Sequence, residues 1–273
     1  MTLLVVGGSG FLGSELVGRA VAAGHPTAAT FATRPGSTGD IAWYALDLRS
    51  SDRVESVVAE VAPRVIVNAT SGGADWAVTA EGPVRLAMAA AKYGSRLIHV
   101  SSDAVFSGTD VHYDESCRPD PLTPYGAAKA AAETGVRLVH TNAVIARTSL
   151  IIGDDRRSEH VRMVHELAAG SRDGVLFTDD IRCPVHVGDL AAALLELATA
   201  DSAGVHHLAG ADAMSRHELG TLIARRDAAR LPSGLRVGSS LPGGLDIRLD
   251  SRATQHRLRT TLRGARRFLA GEA

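Results

Sequence analysis

Tyr125-Gly126-Ala127-Ala128-Lys129 puts a phenol and an ammonium four residues apart. On a helix both would leave the same face. A free phenol titrates near pH ~10, and a neighbouring cation favours its ionised form, so such a pair suits proton exchange with a carbonyl oxygen. The spacing alone is common on ordinary helix surfaces. Its context adds a third group: Ser101-Ser102-Asp103 closes a predicted strand just upstream. A Ser102 hydroxyl at that strand end could hydrogen-bond the same carbonyl oxygen and hold it against the phenol.

A second constellation lies at the N-terminus, where an apolar run is followed by Gly7-Gly8-Ser9-Gly10-Phe11-Leu12-Gly13. Glycines let a backbone turn tightly and approach a pyrophosphate, whose charge then meets the positive end of the helix that follows. Gly7, Gly10, Phe11, Leu12 and Gly13 are therefore candidate dinucleotide contacts. No acidic residue lies between Gly24 and Gly39 to bind a ribose 2'-hydroxyl, whereas Arg34 is placed to pair with a 2'-phosphate. This favours NADPH over NADH, the other reading of Arg34 being a solvated loop residue. Asp47-Leu48 and Asn68-Ala69-Thr70 follow predicted strands, where open sheets bind ligands and where ordinary turns also use Asp and Asn.

Positioning these groups needs a sheet. Strands are predicted near Leu3–Val6, Thr27–Phe31, Ile41–Leu46, Val65–Ala69, Arg96–Val100 and Ala143–Arg147. Helical patterns separate them near Leu12–Ala23, Ser51–Ala62, Thr79–Tyr93 and Pro124–His140. The alternation predicts an α/β fold with a doubly wound parallel sheet of Rossmann type. The dinucleotide domain is expected over residues 1–150, with a chain return near 183–210, and a smaller substrate lobe over 151–273. Cys183–Val187 and Val205–Leu208 read as further sheet material, and Leu231–Gly244 as loop.

The 273 residues carry a formal net charge of -1 with 45% hydrophobic residues, an ordinary globular composition with no broad pull toward nucleic acid or anionic membranes. Cys117 and Cys183 form no C-x-x-C motif and no disulfide framework, so a cytoplasmic setting is expected. No apolar stretch approaches the roughly 18 residues of a membrane span, and Met1–Gly7 lacks the basic start of a signal peptide. Adjacent His206 and His207 would point to opposite faces of a strand, so no metal site is expected. Near the C-terminus Leu258, Leu262, Ala265 and Leu269 mark a helical stripe among arginines that could be solvated or could hold an anion.

Taken together, Gly7–Gly13, Asn68-Ala69, Val100–Phe106, Tyr113–Lys129, Ala146–Ser149, Asp179–Pro184, Asp189–Ala191 and Val205–Gly210 resemble the extended short-chain dehydrogenases. Within them the chain is most similar to the dTDP-4-dehydrorhamnose reductase group. The resemblance implies hydride transfer between a nicotinamide and a carbonyl carbon of a small substrate. Tyr125 would supply the proton, and Ser102 would orient the carbonyl. Lys129 would lower the tyrosine pKa and bind the nicotinamide ribose, with Tyr125 also counted among the cofactor contacts. It also implies a homodimer through the helices near Thr79–Tyr93 and Pro124–His140.

Two places depart from that group, which carries an aromatic residue after the Ser-Thr-Asp triplet and a tryptophan after Arg-Thr-Ser. Here they hold Ala104 and Leu150, and Trp76 falls in a divergent stretch after Asn68. With Asp103, these residues are the candidate substrate contacts, and the pocket is expected to be wider and more aliphatic. Alternatives are a nucleotide-sugar epimerase or dehydratase of the same fold, or a non-catalytic NAD(P)-binding regulatory subunit. Ala104 directly after Asp103 counts against a dehydratase, and retention of Tyr125 and Lys129 against a regulatory subunit.

Overall fold

A computed structural model describes residues 2–38, 40–231, 236–238 and 245–270. The first half alternates β1 (Leu3–Val6), α1 (Phe11–Ala22), β2 (Thr27–Phe31), β3 (Ala42–Ala45), α2 (Ser51–Val61), β4 (Val65–Asn68), α3 (Gly82–Lys92) and β5 (Arg96–Ser102). Then come β6 (His112–Tyr113), α4 (Pro124–Val139), β7 (Val144–Thr148), β8 (Ile151–Ile152), α5 (Glu159–Ala168), β9 (Val175–Phe177), β10 (Asp180–Arg182) and β11 (Val185–His186). The remainder holds α6 (Val187–Thr199), β12 (Gly204–Leu208), β13 (Met214–Ser215), α7 (Arg216–Arg226), β14 (Arg236–Gly238), β15 (Leu245–Asp246), β16 (Arg248–Leu249), α8 (Arg252–Gln255) and α9 (Ala265–Ala270).

The chain divides into two compact units. The first comprises Met1–Phe106, Arg118–Arg147 and Ala191–His206; the second comprises Ser107–Cys117, Thr148–Leu190 and His207–Ala273. The first unit thus takes back the chain at Ala191–His206, and β6 and its flanks join the second unit.

The central sheet has seven strands in the order β12-β7-β5-β4-β1-β2-β3: the six predicted in the first half, joined at the edge by β12, the Val205–Leu208 segment read as further sheet material. β1 pairs in parallel with both β2 and β4, so the strand order reverses between β1 and β4. In open α/β sheets that reversal point is where ligands bind, at the carboxyl ends of the strands. β1 and β4 are buried along their whole length, as expected of parallel strands covered on both faces. Val54, Val57 and Val58 of α2 and Leu86, Ala87 and Ala90 of α3 pack against this sheet with Leu4, Val6 and Ile66.

Capping explains where α4 begins. Thr123 Oγ1 accepts from Gly126 N at 3.0 Å, and Pro124 occupies the first turn, where its missing N–H costs nothing. The predicted helix from Thr79 is divided: a π-helical turn over Ala77–Glu81 precedes α3.

In the second unit, Val161 and Val164 of α5 meet Leu219 and Ile223 of α7 and Leu269 of α9. The C-terminal stripe does not form one helix. Gln255 Nε2 donates to Thr260 O and its Oε1 accepts from Leu262 N, fixing a loop between α8 and α9. Three of the nearby arginines are committed within the protein: Arg252 to Asp250, Arg263 to Asp189 and Arg266 to Glu218. Of the expected loop at Leu231–Gly244, most lies outside the described residues.

Candidate active site

The turn after β1 is built by close approaches. Gly7 has φ +81°, and a Cβ there would stand 2.8 Å from Thr70 Cγ2, so only glycine fits without strain. Gly7 N donates to Thr30 Oγ1 of β2 at 3.0 Å, and Gly10 N donates to Gly7 O at 3.0 Å. No side chain caps α1, and its first turn holds no acidic residue. A twelve-residue helix therefore offers uncapped amides and no competing carboxylate at the sheet's reversal point, the donor set a pyrophosphate needs. The residues present fit a dinucleotide.

Around this turn the predicted contacts occupy different settings. Leu12 and Leu48 are buried, Phe11 is half-buried, and Ala69 and Thr70 are partly accessible. Asp47 is exposed and pairs with Arg49 at 3.0 Å, and the same guanidinium reaches Asp75 at 2.5 Å. Arg34 is exposed beyond β2, with no ion pair among the described residues.

Tyr125 and Lys129 leave one face of α4, as their spacing requires, with Lys129 Nζ 6.0 Å from the centre of the Tyr125 ring. Lys129 is almost wholly buried, and Nζ donates to Val100 O at 3.0 Å and Thr70 O at 3.5 Å. Burial pulls its pKa down to about 8, against a smaller opposing push from Glu133. Burial also raises the Tyr125 phenol above its ordinary value, while hydrogen bonds to Ser71 and Ser102 pull it back. At neutral pH the phenol keeps its proton.

Ser102 ends β5, and its Oγ accepts from Ala104 N at 3.1 Å and lies 3.3 Å from Asp103 Oδ1. Asp103 is buried in the short 3₁₀ turn that follows. A Cβ on Gly126 would stand 2.0 Å from Ala104 O. That missing side chain lets the start of α4 close on the 3₁₀ turn, bringing Tyr125 to Ser102.

The structure thus gathers Thr70, Ser102, Asp103, Ala104, Tyr125 and Lys129. Trp76 sits elsewhere in the first unit, half-exposed in a shallow groove with Ala80, Val84 and Ala131. Leu150 belongs to the second unit, packed on the core around Ile152 and Val161. Ser71, His99 and Glu133 were not foreseen. Glu133 carried a signal, a second charged residue one turn beyond Lys129 on an otherwise Ala-rich helix. Ser71 and His99 carried none.

A dTDP-4-dehydrorhamnose reductase from Mycobacterium tuberculosis is 32% identical over 225 residues, covering 78% of this chain and 71% of that protein. The methionine adenosyltransferase 2 subunit beta of Bos taurus is 32% identical over 183 residues, covering 64% of this chain and 54% of its own. Among solved structures, a dTDP-4-dehydrorhamnose reductase from Bacillus anthracis in complex with NADP superposes with a TM-score of 0.81 at 22% identity, covering 98% of this chain and 95% of its own. The family profile described as the RmlD substrate binding domain matches residues 1–237, and the chain belongs to that family.

Proposed function

We propose that this chain is an NADPH-dependent reductase acting on a keto group of a nucleotide-linked sugar, with Ser102, Tyr125 and Lys129 as its chemical set. The observation that carries the reading is the phenol of Tyr125, kept protonated by burial, with buried Lys129 Nζ 6.0 Å from its ring centre and Ser102 acting to lower its pKa. A reduced nicotinamide, when bound, supplies a hydride to the carbonyl carbon. The Gly7–Gly13 turn and the open end of α1 hold the pyrophosphate, and Arg34 takes the 2'-phosphate. Ser102 Oγ orients the carbonyl oxygen, and Tyr125 Oη gives that oxygen its proton.

Lys129 spends two of its three donors on Val100 O and Thr70 O. The third serves a ribose hydroxyl, and a pKa of about 8 makes the ammonium a fitting source for reprotonating the phenol. The relatives named as reductases support the reaction and the sugar-nucleotide class, and the solved reductase carrying NADP supports the cofactor. We infer a cytoplasmic homodimer. No helix among the described residues is long and apolar enough to cross a membrane, and Cys117 and Cys183 form no disulfide among those residues.

One relative, from Bos taurus, is named as a subunit of another enzyme and not as a reductase, which favours a second reading, a non-catalytic NAD(P)-binding subunit. Tyr125→Phe separates the two. The reductase reading expects nearly intact NADPH binding and turnover of a 4-keto nucleotide sugar lowered by about 10²-fold or more. Binding of NADPH without turnover by the unsubstituted protein across such substrates would favour the non-catalytic reading.

A further inference from the structure

Asn68 lies at the carboxyl end of β4, fully buried, with its amide engaged on both sides. Its Oδ1 accepts from Thr70 N at 3.1 Å and from Thr70 Oγ1 at 2.6 Å. A backbone N–H can only donate, so the atom it meets is the amide oxygen, and Nδ2 is the atom facing His99 Nδ1 at 3.2 Å. An amide nitrogen can only donate in turn. The His99 ring therefore accepts at Nδ1 and carries its proton on Nε2. Burial, with Lys129 nearby, drives the imidazole pKa far below its usual value, so the ring stays neutral.

This arrangement has a cost, because His99 Nε2 is buried with no hydrogen-bond partner among the described residues. An apolar residue at this position of β5 would remove that cost. It would also strip Asn68 Nδ2 of its acceptor and free the amide to turn away from Thr70. Thr70, so anchored, accepts from Lys129 Nζ through its carbonyl, and the next residue, Ser71, carries a hydroxyl that acts on the Tyr125 phenol and lowers its pKa.

We propose that His99 is a positioning residue, acting through Asn68 to brace the Thr70–Ser71 segment so that Ser71 serves as a second hydroxyl on the proton donor. The proposal rests on the role given above to Tyr125. It assigns β4 and β5 a shared task, since Asn68 and His99 are register partners across those strands.

The test compares His99→Leu, which fills the space without an acceptor, with His99→Gln, whose side-chain oxygen can accept from Asn68. The phenol is followed by ultraviolet titration of the free protein, taking the difference from Tyr125→Phe, alongside NADPH affinity and turnover. His99→Leu is expected to move the Tyr125 titration upward by about half a pH unit or more, through loss of the Ser71 contact. It should lower turnover about tenfold with NADPH affinity within about threefold. His99→Gln should restore both. Ser71→Ala, which leaves the brace intact, should reproduce the titration shift and covers the case in which His99→Leu does not fold.

A folded His99→Leu protein with an unmoved Tyr125 titration overturns the proposal, as does Ser71→Ala with an unmoved titration. Titration of the phenol needs no substrate. A protein that shows the shift but never reduces a keto sugar would sink the proposed function and leave the brace standing.

Discussion

Arg147 closes on the Glu133 carboxylate with Nε 3.0 and 3.2 Å from its two oxygens and Nη2 at 2.8 Å, in a place almost sealed from solvent. Ser101 Oγ donates to the same carboxylate at 2.6 Å, and the Arg147 guanidinium lies 5.0 Å from the centre of the Phe106 ring. Glu133 is one turn along α4 from Lys129, so this pair ties the helix that carries the catalytic candidates to β5 and β7.

Removing one member of a buried pair leaves the other charge uncompensated. Glu133→Gln is expected to lower stability by about 3 to 5 kcal/mol in urea unfolding. It should also lower the Lys129 pKa further, since Glu133 is the group opposing burial there. A loss below about 1 kcal/mol would show that the pair does not hold the helix.

What was legible in the sequence followed from short periods. Gly7–Gly13 reads as a turn leading into a helix because glycine spacing is local, and Tyr125 and Lys129 share a face because they are one turn apart. Partners brought together by the sheet were hidden. Asn68 and His99 are thirty-one residues apart and meet only through the β4–β5 register. The C-terminal stripe misled for a related reason: apolar spacing over Leu258–Leu269 matches a helix, but the side chain of Gln255 fixes a loop there. Nothing local in the pattern announces that a glutamine will do so.

Arg34 is expected to set the cofactor preference. It stands exposed beyond β2 with no acidic partner among the described residues, so its charge is free to meet a 2'-phosphate. Arg34→Ala should reduce the ratio of NADPH to NADH affinity by about tenfold or more, the scale of one charge-assisted contact. Calorimetric titration with both cofactors measures the ratio. An unchanged ratio would leave Arg34 as a loop residue.

The first unit exposes large apolar side chains on the two helices expected to pair between protomers. Met88 on α3 is 58% exposed and Leu138 on α4 is 78% exposed, with half-exposed Trp76 at the groove lined by Val84 and Ala131. Grouped apolar exposure of this kind marks an interaction surface. The proposed dimer should therefore dissociate when Met88→Glu places a charge on that surface, with the fold retained. Light scattering of the two proteins at micromolar concentration checks this, and a monomer without the substitution would end the idea.

Buried Lys129 gives stability a predictable dependence on pH. Its pKa is about 8 in the folded chain against an ordinary value of 10.5, so the folded state surrenders its proton first. Below pH 8 both states are charged and the whole burial penalty is felt. Between pH 8 and 10.5 only the unfolded state keeps the proton, so the folded state gains stability as pH rises. The gain amounts to about 3 kcal/mol across that window. Other groups titrate over the same range, which makes the informative quantity the difference between the protein and Lys129→Met. Methionine fills similar space without a charge, so its advantage should be greatest at pH 7 and shrink by about 3 kcal/mol by pH 10.5. Paired urea unfolding curves across this range provide the measurement. A difference that stayed constant with pH would mean that Lys129 is not held in the folded protein as a buried cation.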